Sequence, residues 1–545
     1  MPAKFKILVP DKLASEGLAF IEAQPDAELT SKPGITEDEL AQIAGEYDGI
    51  IVRSGIKVTA KVLNNPGNLK AVARAGVGVD NIDLDAATAS GILVMNSAQA
   101  STVSTAEHAF TLMMALARNI GPAYKTMSEG GWDRSKYQGM QLGGKTLGVV
   151  GFGRIGQTFA QRALAFDMKV IAYDPFINQP TMMDGQVRMF REFEDILPLA
   201  DILTFHVPLC DETRGMLSDK TFALCRKGVF AINASRGGVV DEKALLEALD
   251  SGQCGGAALD VFETEPPPTD DPLRSHPRVL VTPHLGASTA EAQKAVSVSA
   301  AEGLLCYLRG EGINGAVNAP GLRVDLDPLQ ACFVDLASRM AQLISPMVTR
   351  GFAAIDIELA GPELSPAAAT IERMLLIGLL RNHMDVPLNM INVTQIAQQR
   401  GINVRIVTTE QAPRGGAQMS ITIQGPADAV SDHAHPGDRS RRIVGRVYDD
   451  MRPRVVEING YHMDMIPEGI MVLIQNDDRP GMIGAVGMCM GVANVNIADM
   501  AISRRDKTAL MLLKVDDEPG EALLDTLGQV EGILKVAKVQ LPSGA

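Results

Sequence analysis

The stretch VVGFGRIGQTFAQRALAFDMKVIAYDP, residues 149–175, constrains the fold more than any other part of the chain. An apolar run from Thr146 to Val150 gives way to glycines at 151, 153 and 156. A helix-like segment follows over 157–166, then a second apolar run that ends at Asp174. Strand, glycine turn, helix and strand in that order make a dinucleotide-binding unit, where the bare G-x-G-x-x-G pattern would fit any structural glycine turn. Gly151 permits the sharp turn, Gly153 lets backbone approach a pyrophosphate, and Gly156 lets the helix pack close to the strand. The N–H groups at the helix start then face the phosphates. Asp174 sits where a carboxylate takes both ribose hydroxyls and repels a 2′-phosphate, so the expected cofactor is NAD.

Either side of this unit the chain divides further. Residues 1 to about 98 alternate the runs KILV, GIIVR, LKAVARAG and ILVMN with helical stretches, a small parallel α/β unit without a nucleotide fingerprint. A long apolar helix is expected from about 102 to 120, capped by Ser101 or Thr102. The second α/β unit has strand candidates TLGVV, KVIAYD, DILTFHVP, GVFAIN, GAALDVF and VLVTPH. A helix after His284 is expected to return the chain to the first unit, making that unit discontinuous and leaving a ligand cleft between the two. GINGAVNAPGLRVD, residues 312–325, reads as a linker, and 320–455 mixes helical and strand-like patterns. The last 77 residues read βαββαβ, the ferredoxin-like plan.

At 545 residues with 46% apolar and 21% charged side chains, the chain holds three or four ordinary globular domains. Its net charge of −15 argues against nucleic acid and anionic membrane as partners. MPAKFKILVPDKL has too short an apolar run for a signal peptide, and no later run reaches a membrane span, so a cytoplasmic location is expected. The cysteines at 210, 225, 254, 306, 332 and 489 are scattered without C-x-x-C, as reduced thiols would be. No metal site is expected; His433 and His435 read as a solvated loop.

Several motifs carry a resemblance: IVRSGIKVT (51–59), ARAGVGVDNID (73–83), VGFGRIG (150–156), NASRGGVVDEKALLEAL (233–249), ALDVFETEPP (258–267), PHLGASTAEAQ (283–293), AVNAP (316–320) and DRPGMIG (478–484). Through them the chain resembles the D-isomer-specific 2-hydroxyacid dehydrogenases, and within them the long-form phosphoglycerate dehydrogenases, along nearly its whole length. The resemblance implies two Rossmann-like parallel-sheet domains followed by two regulatory ones. These are a discontinuous substrate domain (1–100 and 285–316), an NAD domain (101–284), an α+β intervening domain (317–457) and an ACT domain (468–545). It implies NAD-dependent oxidation of 3-phospho-D-glycerate, the opening of L-serine synthesis, by a homo-oligomer that pairs through the 102–120 region.

Oxidising a secondary alcohol needs a base for the hydroxyl proton and a cation for the carboxylate. The resemblance assigns the base to His284, its partner to Glu265 and the carboxylate clamp to Arg236, each of which alone would also fit a bland structural role. Glu263 is the nearby decoy for Glu265. Cofactor contacts carried over are Arg154 and Ile155 in the glycine loop, Asp174 and Pro175 at the ribose, and Val207, Pro208 and Thr213 on the adenine side. Ala234, Arg236, Asp260, His284 and Gly286 complete the nicotinamide end, and His206 fits either a cofactor-lining or a packing role. Substrate contacts carried over are Arg53, Ser54 and Gly55, then Arg74, Gly76, Val77 and Gly78, with Arg134 able to reach a neighbouring subunit. Val77 replaces a hydroxyl residue common at its position, which implies one polar contact fewer. In the tail, Asn476, Asp478 and Asn496 match positions for an amino-acid effector, L-serine, with Asn476 replacing a His or Tyr; these are also good turn formers. Two rivals stand beside this reading. Another 2-hydroxyacid oxidoreductase, such as a hydroxypyruvate or glyoxylate reductase or one with a 2-oxoglutarate-reducing side activity, would not need Arg53, Arg74 and Arg134. A silent amino-acid sensor would not need Arg236, Glu265 and His284.

Overall fold

The computed structural model describes residues 4–348, 352–384, 387–413, 416–425 and 440–542. His433 and His435 lie outside the described residues. Four sheets follow one another along the chain.

The first is five-stranded and wholly parallel, in the order Ala27–Ser31, Phe5–Val9, Gly49–Val52, Ala71–Arg74, Leu93–Asn96. Its strands are near-continuous apolar runs, as a parallel sheet covered on both faces requires. The helix Ala290–Arg309, capped by Thr289, packs back on this sheet and on the helix Ser15–Glu22. The chain therefore does return to its first unit. Val317 and Asn318 then bond along Val94, and Ala319 and Leu322 enter the same core, so the stretch expected as a linker over 312–325 is in large part packed on the first unit.

The second sheet has eight strands, in the order Val279–Val281, Cys254–Leu259, Val229–Asn233, Ile202–Phe205, Thr146–Val150, Lys169–Tyr173, Val187–Phe190, Thr181–Met182. Only the last pair is antiparallel. All six expected strands are present, and two short ones over 181–190 were not anticipated. Thr146–Val150 lies between Lys169–Tyr173 and Ile202–Phe205, so the sheet reverses its winding there. Ligands of open α/β sheets bind at such a point, beyond the carboxyl ends of the strands.

The expected helix over 102–120 is two helices, Thr102–Ala117 and Ile120–Ser128. Asn119 breaks it by adopting the left-handed conformation, which asparagine tolerates. Ser101 occupies the first helix's cap position without capping it: its hydroxyl is buried and unpartnered, while Thr102 bonds back to Ala98.

The third sheet is mixed, in the order Asn403–Thr409, Ala354–Ala360, Gln418–Gln424, Ser440–Val447, Pro453–Ile458, Tyr461–Met465, with only its first pair parallel. The helices Pro328–Ile344 and Ala368–Leu380 pack on one another and the first lies on this sheet. The fourth follows the expected βαββαβ course, in the order Ile497–Arg505, Thr508–Val515, Ile470–Asp477, Ile533–Gln540. These two sheets share a core. Met471, Leu473, Leu510, Leu512, Val539 and Leu541 of the fourth pack into the same cluster as Phe333, Leu375 and Val455 of the third. Buried Arg339 seals the junction by donating to the carbonyls of Pro467 (2.9 Å) and Pro542 (2.7 Å).

Candidate active site

The glycine loop is built as its sequence requires. Gly151 has φ +85°, and a Cβ there would lie 2.6 Å from the His206 carbonyl. A Cβ on Gly156 would lie 2.2 Å from the Gly151 carbonyl, so the helix Arg154–Ala165 can approach its strand only without one. A Cβ on Gly153 would meet no protein atom within 4 Å. No side chain caps the helix start, so the space in front of Gly153, Arg154 and Ile155 is open and lined by backbone donors. Asp174 spans the turn, its two oxygens accepting from Phe152 N and Phe176 N at 2.9 Å each, with Pro175 exposed beside it. Residues, backbone and open space here fit a dinucleotide.

The next loop divides its residues between two tasks. The main chain of His206 and the side chain of Val207 abut Gly151. The His206 ring turns inward, bonds Thr204 Oγ1 at 3.1 Å and packs on Phe159. Burial drives its pKa down to about 3, so it stays neutral. Of its two expected roles the side chain takes the packing one. Thr213 braces the loop, donating to the Pro208 carbonyl at 2.6 Å and accepting from Cys210 N.

His284 and Glu265 meet as expected, with Nδ1 2.7 Å from Oε2, and Glu265 also accepts from Phe262 N. Glu263 does not reach the ring; its main-chain N–H is bonded to Glu242. The hydrogen bond to Glu265 outweighs burial and raises the His284 pKa above its ordinary value. For Glu265, burial is the largest single influence and pushes upward, but the bond and charge of His284, Phe262 N and Arg236 together hold it below the usual range. His284 stands in the left-handed region, φ +53°, with its N–H bonded to the Asp260 carbonyl at 2.9 Å.

Asp260 is expected beside a ligand, yet its side chain is only 1% exposed. Oδ1 takes Thr282 Oγ1 (2.6 Å), Leu285 N (2.8 Å) and His108 Nε2 (3.0 Å), and Oδ2 takes Gly286 N (2.9 Å). The carboxylate thus fastens the loop that carries His284. Its partner His108 has no motif of its own; the one signal is an imidazole inside an apolar helix.

Arg236 follows the strand Val229–Asn233 and the buried Ala234. Asn233 folds the turn by bonding Ser235 and the Arg236 carbonyl. The guanidinium crosses the cleft to Asp80, with Nε 3.1 Å from Oδ2, and Nη1 donates to the Ser235 carbonyl at 2.6 Å. Asp80 belongs to no expected site.

Across the cleft the first sheet presents its own loops. Asp11 accepts from Arg53 N and Gly55 N, leaving Ser54 exposed at the tip. Gly76 N donates to Ser97 Oγ, and the Val77 carbonyl accepts from Asn96. The Arg74 guanidinium is largely buried; desolvation first, then the charges of Arg236 and Arg53, lower its pKa to about 10. Gly78 lies flush against Arg236. Arg53, Arg74 and Arg236 therefore form one positive cluster. Arg134 is not joined to it by any described contact and is exposed just before the turn Ser135–Tyr137.

The tail residues are not drawn together in the same way. Asn476 is buried, its Nδ2 bonded to the Asp477 carbonyl and its Oδ1 unpartnered. Asp478 pairs with Arg504 at 3.2 Å, and exposed Asn496 bonds Asp516. All six cysteines are free. Among the described residues no cluster of His, Cys, Asp and Glu could hold a metal, and no helix is long and apolar enough to cross a membrane.

Comparison with known proteins agrees with this geometry. Residues 110–286 match the family described as D-isomer specific 2-hydroxyacid dehydrogenase, NAD binding domain. Residues 330–459 match the D-3-phosphoglycerate dehydrogenase intervening domain. A D-3-phosphoglycerate dehydrogenase of Bacillus subtilis is 38% identical over 99% of this chain and 100% of its own length. One of Methanocaldococcus jannaschii is 37% identical over 98% of this chain and 100% of its own. Among solved structures, an NAD-dependent formate dehydrogenase of Staphylococcus aureus in complex with NAD superposes with a TM-score of 0.52 at 30% identity. It covers 57% of this chain and 98% of its own. The chain belongs to the D-3-phosphoglycerate dehydrogenases, within the D-isomer specific 2-hydroxyacid dehydrogenase family.

Proposed function

We propose that the chain oxidises 3-phospho-D-glycerate to 3-phosphohydroxypyruvate, the first step of phosphorylated L-serine synthesis. The observation that carries this is the His284–Glu265 pair, 2.7 Å apart, at one cleft with Arg236 from its own unit and Arg53 and Arg74 from the other. Bound at the glycine loop, NAD supplies the hydride acceptor. Glu265 can only accept, so Nδ1 of His284 carries its proton toward Glu265 and Nε2 is left to take the substrate's hydroxyl proton. The charge of Glu265 stabilises the imidazolium so formed. Arg236 holds the carboxylate, and Arg53 with Ser54 and Gly55, and Arg74 with Gly76, Val77 and Gly78, hold the phosphate end; Arg134 adds charge from a neighbouring copy.

The domain division follows the same reading: substrate domain 1–100 and 285–316, NAD domain 101–284, intervening domain 317–457, ACT domain 468–545. The exposed Val103, Ile120, Tyr124, Met127 and Trp132 support pairing of two copies through this region. L-serine is the proposed effector of the tail, and the cytoplasm the proposed location. The test is NAD reduction with 3-phosphoglycerate against D-glycerate, D-lactate and 2-hydroxyglutarate. The phosphorylated acid should win in kcat/KM by at least about tenfold, and NAD should exceed NADP by a similar factor, roughly 1.4 kcal/mol. Preference for an unphosphorylated acid would refute the substrate assignment.

A further inference from the structure

Among the described residues, Asp80 is the carboxylate of the first unit that bonds Arg236 across the cleft without being consumed by its own loop. Asp11, the other acid nearby, spends Oδ2 on the N–H groups of Arg53 and Gly55 and Oδ1 on that of Lys12. Asp80 instead accepts from Arg236 Nε at 3.1 Å, from a residue 156 positions later in the chain. Its side chain is 70% exposed while that of Arg236 is only 24% exposed. A guanidinium has five N–H donors in a rigid plane. Here one is held by Asp80 and one, on Nη1, by the Ser235 carbonyl. The plane is also fixed from below: a Cβ on Gly78 would fall 1.8 Å from Nη2 and 2.6 Å from the Asp80 carboxylate. What remains are both donors of Nη2 and one of Nη1, the end of the fork, whose spacing matches the two oxygens of a carboxylate.

We propose that Asp80 is a positioning residue for the reaction: by tying Nε across the cleft, it turns the free end of Arg236 toward the substrate carboxylate and fixes that orientation only when the two α/β units are closed. This rests on the reading of Arg236 as the carboxylate clamp. The same contact offsets repulsion among Arg53, Arg74 and Arg236, which would otherwise push the Arg236 side chain out of the cleft. The proposal separates two roles a carboxylate could have here. A competitor for Arg236 would weaken substrate binding and its removal would tighten it; a positioning group would do the reverse.

The experiment compares Asp80→Asn, Asp80→Glu, Arg236→Gln and the Asp80→Asn/Arg236→Gln double variant in the full-length chain. Oxidation of 3-phosphoglycerate by NAD is followed alongside NADH binding and thermal unfolding. Asp80→Asn should raise the KM for 3-phosphoglycerate on the order of tenfold, with a smaller change in kcat. Its NADH affinity and unfolding temperature should match the wild type, and Asp80→Glu should recover most of the loss. Arg236→Gln should raise KM further, and the double variant should be no worse than Arg236→Gln alone, because Asp80 acts through that arginine. A lower or unchanged KM in Asp80→Asn, or additive losses in the double variant, would overturn the proposal while leaving Arg236 as the clamp. A wild-type KM in Arg236→Gln would remove the clamp itself, and the role of Asp80 with it.

Discussion

The two sheets over residues 5–281 and the two over 354–540 use strands to different ends. In the first half nearly every strand is parallel, so each releases its loop at the same edge. Arg53, Gly151, Asp174, His206, Ala234, Asp260 and the Thr282–His284 turn all follow the last residue of a strand, and Arg74 is the last residue of its own. Parallel order thus gathers residues scattered over more than two hundred positions into one cleft. In the second half most neighbours are antiparallel, loops are shared between both ends, and polar side chains pair locally: Arg442 with Glu457, Arg405 with Asp356, Arg454 with Asp450. Such sheets make cores and edges rather than a convergent site. The convergent cleft is confined to the first half by topology before any residue is chosen.

That contrast can be broken most severely by cutting the chain. A stop just after Met465 leaves every strand of the third sheet but removes Met471, Leu473, Leu510, Leu512, Val539 and Leu541 from the shared core, each contributing roughly 1.5–3 kcal/mol. The remaining third sheet should unfold, whereas a stop just after Leu322 should leave a folded dehydrogenase that retains turnover and loses any response to L-serine. Calorimetry of the two truncations would show it; a cooperative transition from the third sheet alone would mean the halves of the tail are independent.

A smaller effect sharpens the chemical side. His284→Asn keeps a residue that accepts the left-handed backbone but removes the base, and should lower kcat by about 10² or more with NADH affinity preserved. If turnover survives, proton transfer belongs to another group. Subtler still is Glu265→Gln. Because Glu265 raises the pKa of His284, wild-type oxidation should gain rate with pH only through that elevated value, as the imidazole becomes neutral. Removing the carboxylate's charge should move the midpoint of the kcat/KM profile to lower pH and reduce the plateau. The same sign governs stability: the pair's contribution through His284 is complete below the unfolded pKa and fades as pH rises through the folded one. An unmoved midpoint would detach Glu265 from the proton.

Much of the cleft is legible in the sequence because its signals are local. Gly151 and Gly156 announce their turn by spacing, and the apolar runs around them announce the sheet. Glu265 and Glu263 could not be separated so, since two residues in one turn differ only in which way the loop points them. Asp80 with Arg236 and His108 with Asp260 lie 156 and 152 positions apart, and nothing in a window of sequence couples such partners. The shared core was hidden for a similar reason: the third and fourth sheets each read as self-sufficient amphipathic patterns, and only packing shows that they cover one another. The break at Asn119 yields to hindsight, because a residue that accepts positive φ stood inside an otherwise continuous apolar pattern.

The shared core also sets an order of events during synthesis. The dehydrogenase half has nearly all its packing partners once Leu322 has left the ribosome, because the returned helix and the segment behind it close its first sheet; of that core only Ile391 comes later. The third sheet must wait for Leu541, the last core residue of the fourth. At roughly 5–20 residues per second, about 220 residues separate these points by on the order of 10–40 s. Through that interval the nascent chain carries a folded dehydrogenase half and an unfinished second one, with apolar core residues such as Phe333, Leu375 and Val455 not yet covered.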